Sequence, residues 1–309
     1  MRELVVLSGK GGTGKTSVTA SLAALAEAPV LADCDVDASN LPLVLAPRIQ
    51  HHGTFSSGLR ARIQSSRCSV CGQCEELCRF NAISYYESAN DDEAGAFRVD
   101  PIACEGCGVC AHFCPEGALE MIPSDGGEWF LSETRLGPLV HARLRPGQGN
   151  SGKLAALVRE KARETARANG RELVLIDGPP GIGCPVIASM TGATNVLVVT
   201  EPTVAGKYDL ERILALIRHF NLPVSVCINK YDLNSAMVAQ IERYTAELGA
   251  TTVGRIPYDP AVTAAQRRGI SVVELNQGQA APAIVELWKT LSEKCLNLTP
   301  GHYQPISAG

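Results

Sequence analysis

A chain of 309 residues is long enough to bury a full core and to hold one large domain beside a small one. Charged residues make up 19% and the formal charge is −4, which argues against a nucleic-acid surface, so no nucleic-acid partner is expected. No run of about 18 apolar residues occurs, and MRELVVLSGK leads directly into a glycine-rich loop; the expectation is no membrane anchor, no cleaved signal and a cytoplasmic location.

In chain order, residues 4–7 read as a short apolar strand. The loop Gly9-Lys10-Gly11-Gly12-Thr13-Gly14-Lys15-Thr16 follows, then a helix over about 15–27. A second strand at 29–32 runs into Asp33-Cys34-Asp35-Val36-Asp37. The rhythm then breaks from about Arg60 to Pro123, a cysteine-rich segment without long apolar runs, and Gly126 to Gly149 is glycine-rich with no clear element. A helix over 151–169 leads to a strand at 173–176 that ends in Asp177-Gly178-Pro179-Pro180-Gly181. Strands at 196–200, 224–228 and 252–256 alternate with helices over 207–220, 235–248 and 281–296; the strand at 252–256 reads as the last central one. Apolar runs separated by helix-length segments are the pattern of parallel strands buried on both faces. The polar motifs fall at their C-terminal ends, where open α/β sheets bind ligands.

The glycines of the first loop let the backbone curl until successive N–H groups point at phosphate oxygens, and the helix behind adds its positive end. The complete GxxxxGK[ST] pattern places Lys15 at the β/γ-phosphates and the Thr16 hydroxyl at a Mg²⁺ position. A second run, Gly147-Gln148-Gly149-Asn150-Ser151-Gly152-Lys153-Leu154, repeats this only superficially. It ends in Leu154, which has no hydroxyl, and no apolar strand precedes it. It reads as the approach to a helix capped near Asn150 or Ser151.

Eight of the twelve cysteines form two matching runs, Cys68-x2-Cys71-x2-Cys74-x3-Cys78 and Cys104-x2-Cys107-x2-Cys110-x3-Cys114-Pro115. The runs repeat at an offset of 36 residues, with Gly72/Gly108, Ala82/Ala118 and Ile83/Leu119 matching as well, which marks an internal duplication. Disulfides suit small exported domains, not a chain of this length without an export signal. The spacing is that of two-cluster bacterial ferredoxins, where the fourth cysteine of each run ligates the other cluster. Cys68, Cys71, Cys74 and Cys114 would hold one [4Fe–4S] cluster, and Cys104, Cys107, Cys110 and Cys78 the second. Zinc ribbons also use CxxC pairs, but two four-cysteine runs favour iron–sulfur. Arg79 stands where a proline usually follows the fourth cysteine, whereas Pro115 is retained. Asn90-Asp91-Asp92-Glu93 reads as a solvated loop between the halves. Cys34, Cys227 and Cys295 read as buried small residues.

Lys10, beside the first glycine of the loop, completes a KGGxGK[ST] form. On Lys10 to Thr16 the chain resembles the deviant phosphate-loop ATPases related to MinD, ParA, Mrp and the nitrogenase iron protein. Over nearly its whole length it resembles members of that superfamily with an inserted ferredoxin domain. The resemblance implies an α/β fold: a doubly wound parallel-sheet P-loop NTPase in two parts, residues 1–59 and 124–309, interrupted by a bacterial ferredoxin-like (α+β) insertion over 60–123. It implies ATP and Mg²⁺ as ligands, held by Gly11, Gly12, Thr13, Gly14, Lys15, Thr16 and Ser17. It also implies a homodimer, or a heterodimer with a paralogous ATPase, across bound ATP, with Lys10 reaching the partner's nucleotide. Asp35 would orient the attacking water, Asp177 would hold Mg²⁺ through water and the Gly181 N–H would sense the γ-phosphate. Asn229 would meet the base edge and Pro257 would pass the adenine.

Asn229-Lys230-Tyr231-Asp232 also fits the NKxD pattern of guanine-binding proteins, but the rest of the chain looks like the ATPase branch. Asp33 and Asp37 either share the switch role, cap the loop or hydrogen-bond locally. Cys184 follows Asp177 by seven residues, an offset similar to that of an interface cluster ligand in the nitrogenase iron protein, and its role stays open. The tail Thr299 to Gly309 offers no basic amphipathic helix of the kind that ends many MinD relatives. The function expected is an ATPase whose nucleotide-dependent dimer gates electron transfer through two clusters to a redox partner protein. The alternatives are an accessory ATPase for cofactor assembly and a positioning ATPase with redox-sensing clusters.

Overall fold

The computed structural model describes residues 1–87, 95–145 and 149–298. The acidic stretch Asn90 to Glu93, part of the second glycine run and the tail Thr299 to Gly309 lie outside the described residues. The chain forms two compact units: Met1–Gly53, Trp129–Arg143 and the chain from Ser151 onward make one, and Thr54–Glu128 with Leu144–Asn150 the other.

The described residues include eleven strands: β1 (Arg2–Ser8), β2 (Val30–Asp33), β3 (Arg48–Ile63), β4 (Ile83–Tyr86), β5 (Ala96–Val99), β6 (Leu119–Thr134), β7 (Gly137–Leu144), β8 (Leu173–Pro180), β9 (Asn195–Thr200), β10 (Val224–Asn229) and β11 (Thr251–Ile256). Nine of them form one sheet in the order β11-β10-β9-β1-β8-β2-β7-β6-β3, while β4 and β5 pair separately. From β11 through β7 every neighbouring pair is parallel. That run of parallel strands is why β1, β8 and β9 are apolar almost throughout: helices cover both faces, so neither face of those strands meets water. Leu4, Val6, Leu31, Leu175 and Leu197 are completely buried there, and Leu22, Ile284 and Leu287 pack against them from the flanking helices. Among the described residues no helix is long and apolar enough to cross a membrane.

Glu3 anchors the start of β1 as a buried acid. Arg159, from the helix Ser151–Ala168, donates to it through Nε at 2.9 Å, and Arg163 of the same helix adds a second contact. Burial would raise the Glu3 pKa, but the two guanidinium groups outweigh it and hold the carboxyl below its usual range. Removing either arginine leaves a buried charge short of a partner, a change that costs about 3–5 kcal/mol when the pairing is lost entirely.

The structure departs from the sequence expectation on one side of the sheet. The segment 126–149, which gave no element, contributes most of β6 and β7, joined by the two-residue turn Arg135-Leu136. Strand β3 is likewise a 16-residue strand that composition did not announce. Most of its side chains are exposed, so it has no continuous apolar run and no regular alternation. Strand β11, read as central, lies at the sheet edge. The C-terminal helix stops as an α-helix at Thr290 and continues as one π-helical segment, Leu291–Leu296.

The other unit has a small core of Ala61, Cys74, Ile83, Phe97 and Leu119, around which Cys78, Cys104, Cys110 and Cys114 pack.

His141 of β7 stacks on Phe130 with ring centroids 5.1 Å apart, and its Nε2 lies 3.0 Å from the Ser132 hydroxyl. Burial, helped by the nearby Arg143, lowers its pKa to about 4. The unfolded chain takes up that proton near pH 6.5 and the folded chain only near 4, so this contribution is complete above 6.5 and is lost as pH falls toward 4. The loss is at most ~3 kcal/mol, less what solvent screening removes. Urea unfolding at pH 7 and pH 4.5 should therefore show a smaller acid loss in His141→Gln than in the parent chain; equal losses would refute the assignment.

Candidate functional site

The phosphate loop leaves β1 at Ser8 and enters its helix at Lys15. Gly12 and Gly14 sit at φ 81° and 92°, a region side-chain-bearing residues avoid. Gly14 has a second reason to be glycine, because a Cβ there would lie 2.4 Å from Asn229 Nδ2. That amide donates to the Thr13 carbonyl at 2.7 Å and ties the end of β10 to the loop. The Thr13 hydroxyl is buried without a hydrogen-bond partner. An orphan of this kind inside an anion-binding loop is what a phosphate oxygen would satisfy.

Over the loop lies a cleft of about 560 Å³, lined by Gly11 to Ser17 together with Asp35, Leu43, Pro180 and Gln266. That size is ordinary for a small-molecule site. Gln266 donates to the Ser17 hydroxyl at 2.7 Å. A neighbouring hollow of about 240 Å³ shares Gly12, Gly14 and Ser17 and is walled by Asn229, Ile256, Pro257 and Val262. Polar groups thus converge over the loop, and a smaller hollow with both polar and apolar walls opens beside it.

Asp177, fully buried at the end of β8, is the polar centre. Lys15 Nζ donates to its Oδ1 at 2.7 Å, the Thr16 hydroxyl to Oδ2 at 2.7 Å and the Thr19 hydroxyl to Oδ1 at 3.0 Å. Burial would lower the Lys15 pKa, but Asp177, with Asp33 and Asp35 behind it, raises it instead, so the ammonium stays charged. The Asp33 pKa is raised as well, by burial and the Asp177 charge against the pull of Lys15, which moves this carboxyl toward its neutral form. Its oxygens accept from the Asp35 N–H, the Ser39 hydroxyl and the Leu41 N–H, so this residue caps the loop after β2. Asp35, 9% exposed, faces the cleft. Burial raises its pKa, Lys15 opposes and Asp177 adds to the rise. Asp37 is exposed. Three carboxylates around one lysine leave an excess of negative charge, which suits a hard divalent cation. Thr16 and Asp177 are oxygen donors of the kind Mg²⁺ takes while keeping its waters.

Two placements qualify the roles drawn from resemblance. The Gly181 N–H, at φ 91°, donates to the Ser8 carbonyl at 2.9 Å, so meeting a γ-phosphate requires that bond to open. Lys10 pairs within its own chain, with Glu201 at 2.6 Å. Glu201 also accepts from Lys230 at 3.0 Å. Burial would raise the Glu201 pKa, yet the two lysines hold it below the usual range. Glu201 and Thr19 were not singled out from sequence. Thr19 lies four residues after Lys15, on the same helix face, and Glu201 lies just past a parallel strand's C-terminal end, where ligands gather.

The cysteines sort into two hollows. Cys68, Cys71, Cys74 and Cys114 line one; Cys78, Cys104, Cys107 and Cys110 line the other. Short helices Gln73–Glu76 and Val109–His112 follow Gly72 and Gly108, both left-handed, at φ 84° and 78°. The Ala82 N–H reaches Cys78 Sγ at 3.3 Å, and the Ala118 N–H reaches Cys114 Sγ at 3.3 Å, the same bond in each half. Burial raises the thiol pKa of Cys74 and Cys110, so keeping these as thiolates needs a cationic partner. Among the described residues no three His, Cys, Asp or Glu converge closely enough for a single metal ion. A cuboidal cluster does not require such convergence, because each thiolate binds a different iron. Of the remaining cysteines, Cys34 lies 3.6 Å from the Ala155 carbonyl, Cys227 is buried with its pKa pushed up to about 12, and Cys295 touches the Ser225 hydroxyl at 3.4 Å. Cys184 is exposed at the start of the helix Cys184–Met190.

Known proteins give this geometry a family. An uncharacterized protein of Methanocaldococcus jannaschii, MJ0578, is 33% identical over 238 residues, covering 75% of this chain and 79% of the relative. An iron-sulfur cluster carrier protein of the same organism is 21% identical over 94% of this chain and 84% of its own length. Among solved structures, the septum site-determining protein MinD of Pyrococcus horikoshii, complexed with Mg-ADP, superposes with a TM-score of 0.57 at 16% identity, over 98% of this chain and 99% of that one, a likeness of fold. The family model described as the CobQ/CobB/MinD/ParA nucleotide binding domain matches residues 4–272, and the chain belongs to that family.

Proposed function

We propose that this chain binds and hydrolyses Mg-ATP, carries two [4Fe–4S] clusters, and pairs over ATP with a second copy or a paralogue to gate electron transfer to a redox partner protein. The observation that carries the reading is the crossing of the cysteines: Cys114 joins the first run's hollow and Cys78 the second's, in a chain that also has a complete phosphate loop. Crossing of the fourth ligand is the two-cluster ferredoxin arrangement. When bound, Mg²⁺ neutralises phosphate charge and the clusters carry single electrons.

The chain's own residues do the rest. Lys15 now rests on Asp177, and a phosphate that takes its ammonium frees Asp177 and Thr16 to hold the cation. Asp35 orients the attacking water, and its raised pKa makes its carboxylate a better proton acceptor. The loop N–H groups and Lys15 receive the charge that builds on the transferred group. Adenine is favoured over guanine because the chain outside the NKxD-like run Asn229 to Asp232 resembles the ATPase branch. The similarity to an iron-sulfur cluster carrier supports a second reading, in which the clusters are cargo delivered to an apo-protein.

Two measurements test the proposal. Asp35→Asn should lower kcat by about 10²–10³-fold and leave nucleotide affinity nearly unchanged. The parent's kcat should fall with acid at a pH above the ordinary aspartate range, a limb the variant lacks; an unchanged kcat removes Asp35 from the chemistry. Anaerobically purified protein should hold about eight irons, and its ATPase rate should differ between oxidised and reduced clusters. A rate indifferent to redox state, together with cluster loss to an apo-ferredoxin, would favour the carrier reading instead.

A further inference from the structure

Glu201 is used by none of the steps above, yet it is one of the most tightly held side chains on this face. Its carbonyl accepts the Thr203 N–H at 2.8 Å, and a Cβ on Gly206 would lie 2.3 Å from that carbonyl, so the backbone is pinned where β9 gives way to the helix Val204–His219. The side chain is 12% exposed and takes one lysine on each oxygen: Lys10 on Oε1 at 2.6 Å and Lys230 on Oε2 at 3.0 Å. Lys230 also donates to the Gly12 carbonyl at 3.3 Å. One carboxylate therefore pairs with both lysines beside the first half of the phosphate loop, leaving one positive charge in excess.

We propose that Glu201 is a positioning residue for Lys10, parking its ammonium on its own chain until two copies close over ATP, when Lys10 trades Glu201 for the facing copy's phosphates. This rests on the reading of Lys10 as a contact to the partner's nucleotide. The third member makes the trade feasible. A largely buried carboxylate with a single partner becomes an uncompensated charge when that partner leaves. Lys230 stays behind on the other oxygen, so the departure of Lys10 leaves Glu201 paired. The resting contact sets how readily copies pair, and nucleotide supplies the competing anion.

The test is sedimentation of the full anaerobic holoprotein with Mg²⁺ and a non-hydrolysable ATP analogue, read as the protein concentration at half-dimerisation. Glu201→Gln, close in shape and still able to accept from Lys230, should lower that midpoint about tenfold. Lys230→Ala should raise it several-fold, because Glu201 is then stranded when Lys10 leaves, and should have no such effect in the Glu201→Gln background. Lys10→Ala should abolish pairing, and adding Glu201→Gln to it should restore nothing. A midpoint that Glu201→Gln leaves within about twofold of the parent, or raises, overturns the parking role while Lys10 keeps its own. Normal pairing by Lys10→Ala overturns the reading of Lys10 itself, so the two failures are distinct.

Discussion

A buried aspartate organises this molecule. Asp177 has no access to water, so it must be satisfied by its neighbours, and the three donors it collects come from one short stretch of helix: Lys15, Thr16 and Thr19. Charge-assisted bonds from helical positions 15, 16 and 19, which share one face, fix the rotation of that helix about its axis. With the helix so placed, the loop before it must close from Ser8 to Lys15 in very few residues, which forces the left-handed turns at Gly12 and Gly14. Asp33 and Asp35, from the end of the neighbouring β2, then lie within the field of the same lysine. The nucleotide cleft is the space this arrangement leaves over the loop.

The same economy of charge recurs across the face. Two carboxylates, Asp177 and Glu201, hold three lysines beside the loop, Lys15 on the first and Lys10 and Lys230 on the second. Pairing in the resting protein orients the lysines, and on the reading proposed above an incoming polyphosphate competes with Asp177 for Lys15 and with Glu201 for Lys10. The cysteine unit solves a different problem. Among the described residues the core cluster of Ala61, Cys74, Ile83, Phe97 and Leu119 is thin for a unit of this length, and apolar burial of that extent would leave it marginal. On the reading proposed above, cluster ligation supplies the missing cohesion, since metal binding to such a unit is also folding free energy.

Legibility followed locality. The phosphate loop could be read because its chemistry is contiguous and its glycines have one conformational purpose. Strands β1, β8, β9 and β10 could be read because burial on both faces leaves an unbroken apolar run. β3, β6 and β7 could not, since their side chains alternate irregularly between exposed and buried and glycines interrupt them. The role of Asp33 is not legible from its spacing, because its cap of the loop depends on donors six and eight residues on, the Ser39 hydroxyl and the Leu41 N–H. Glu201 went unremarked because a glutamate after a strand carries no spacing signal, and its meaning comes from lysines 191 and 29 residues away in sequence, positions 10 and 230.

By itself, then, the amino-acid sequence determined what is written in short-range spacing: the loop, the two cysteine runs with their duplication, and the alternation of apolar strands with helices. Each of these depends on neighbours within a few residues, where backbone geometry leaves little choice. Only the tertiary structure decided which charges meet. It set Lys15 on Asp177, Lys10 and Lys230 on Glu201, and the Gly181 N–H on Ser8. Those pairings join residues far apart in the chain, and a buried charge is satisfied by whatever the fold brings to it, not by what lies beside it in sequence.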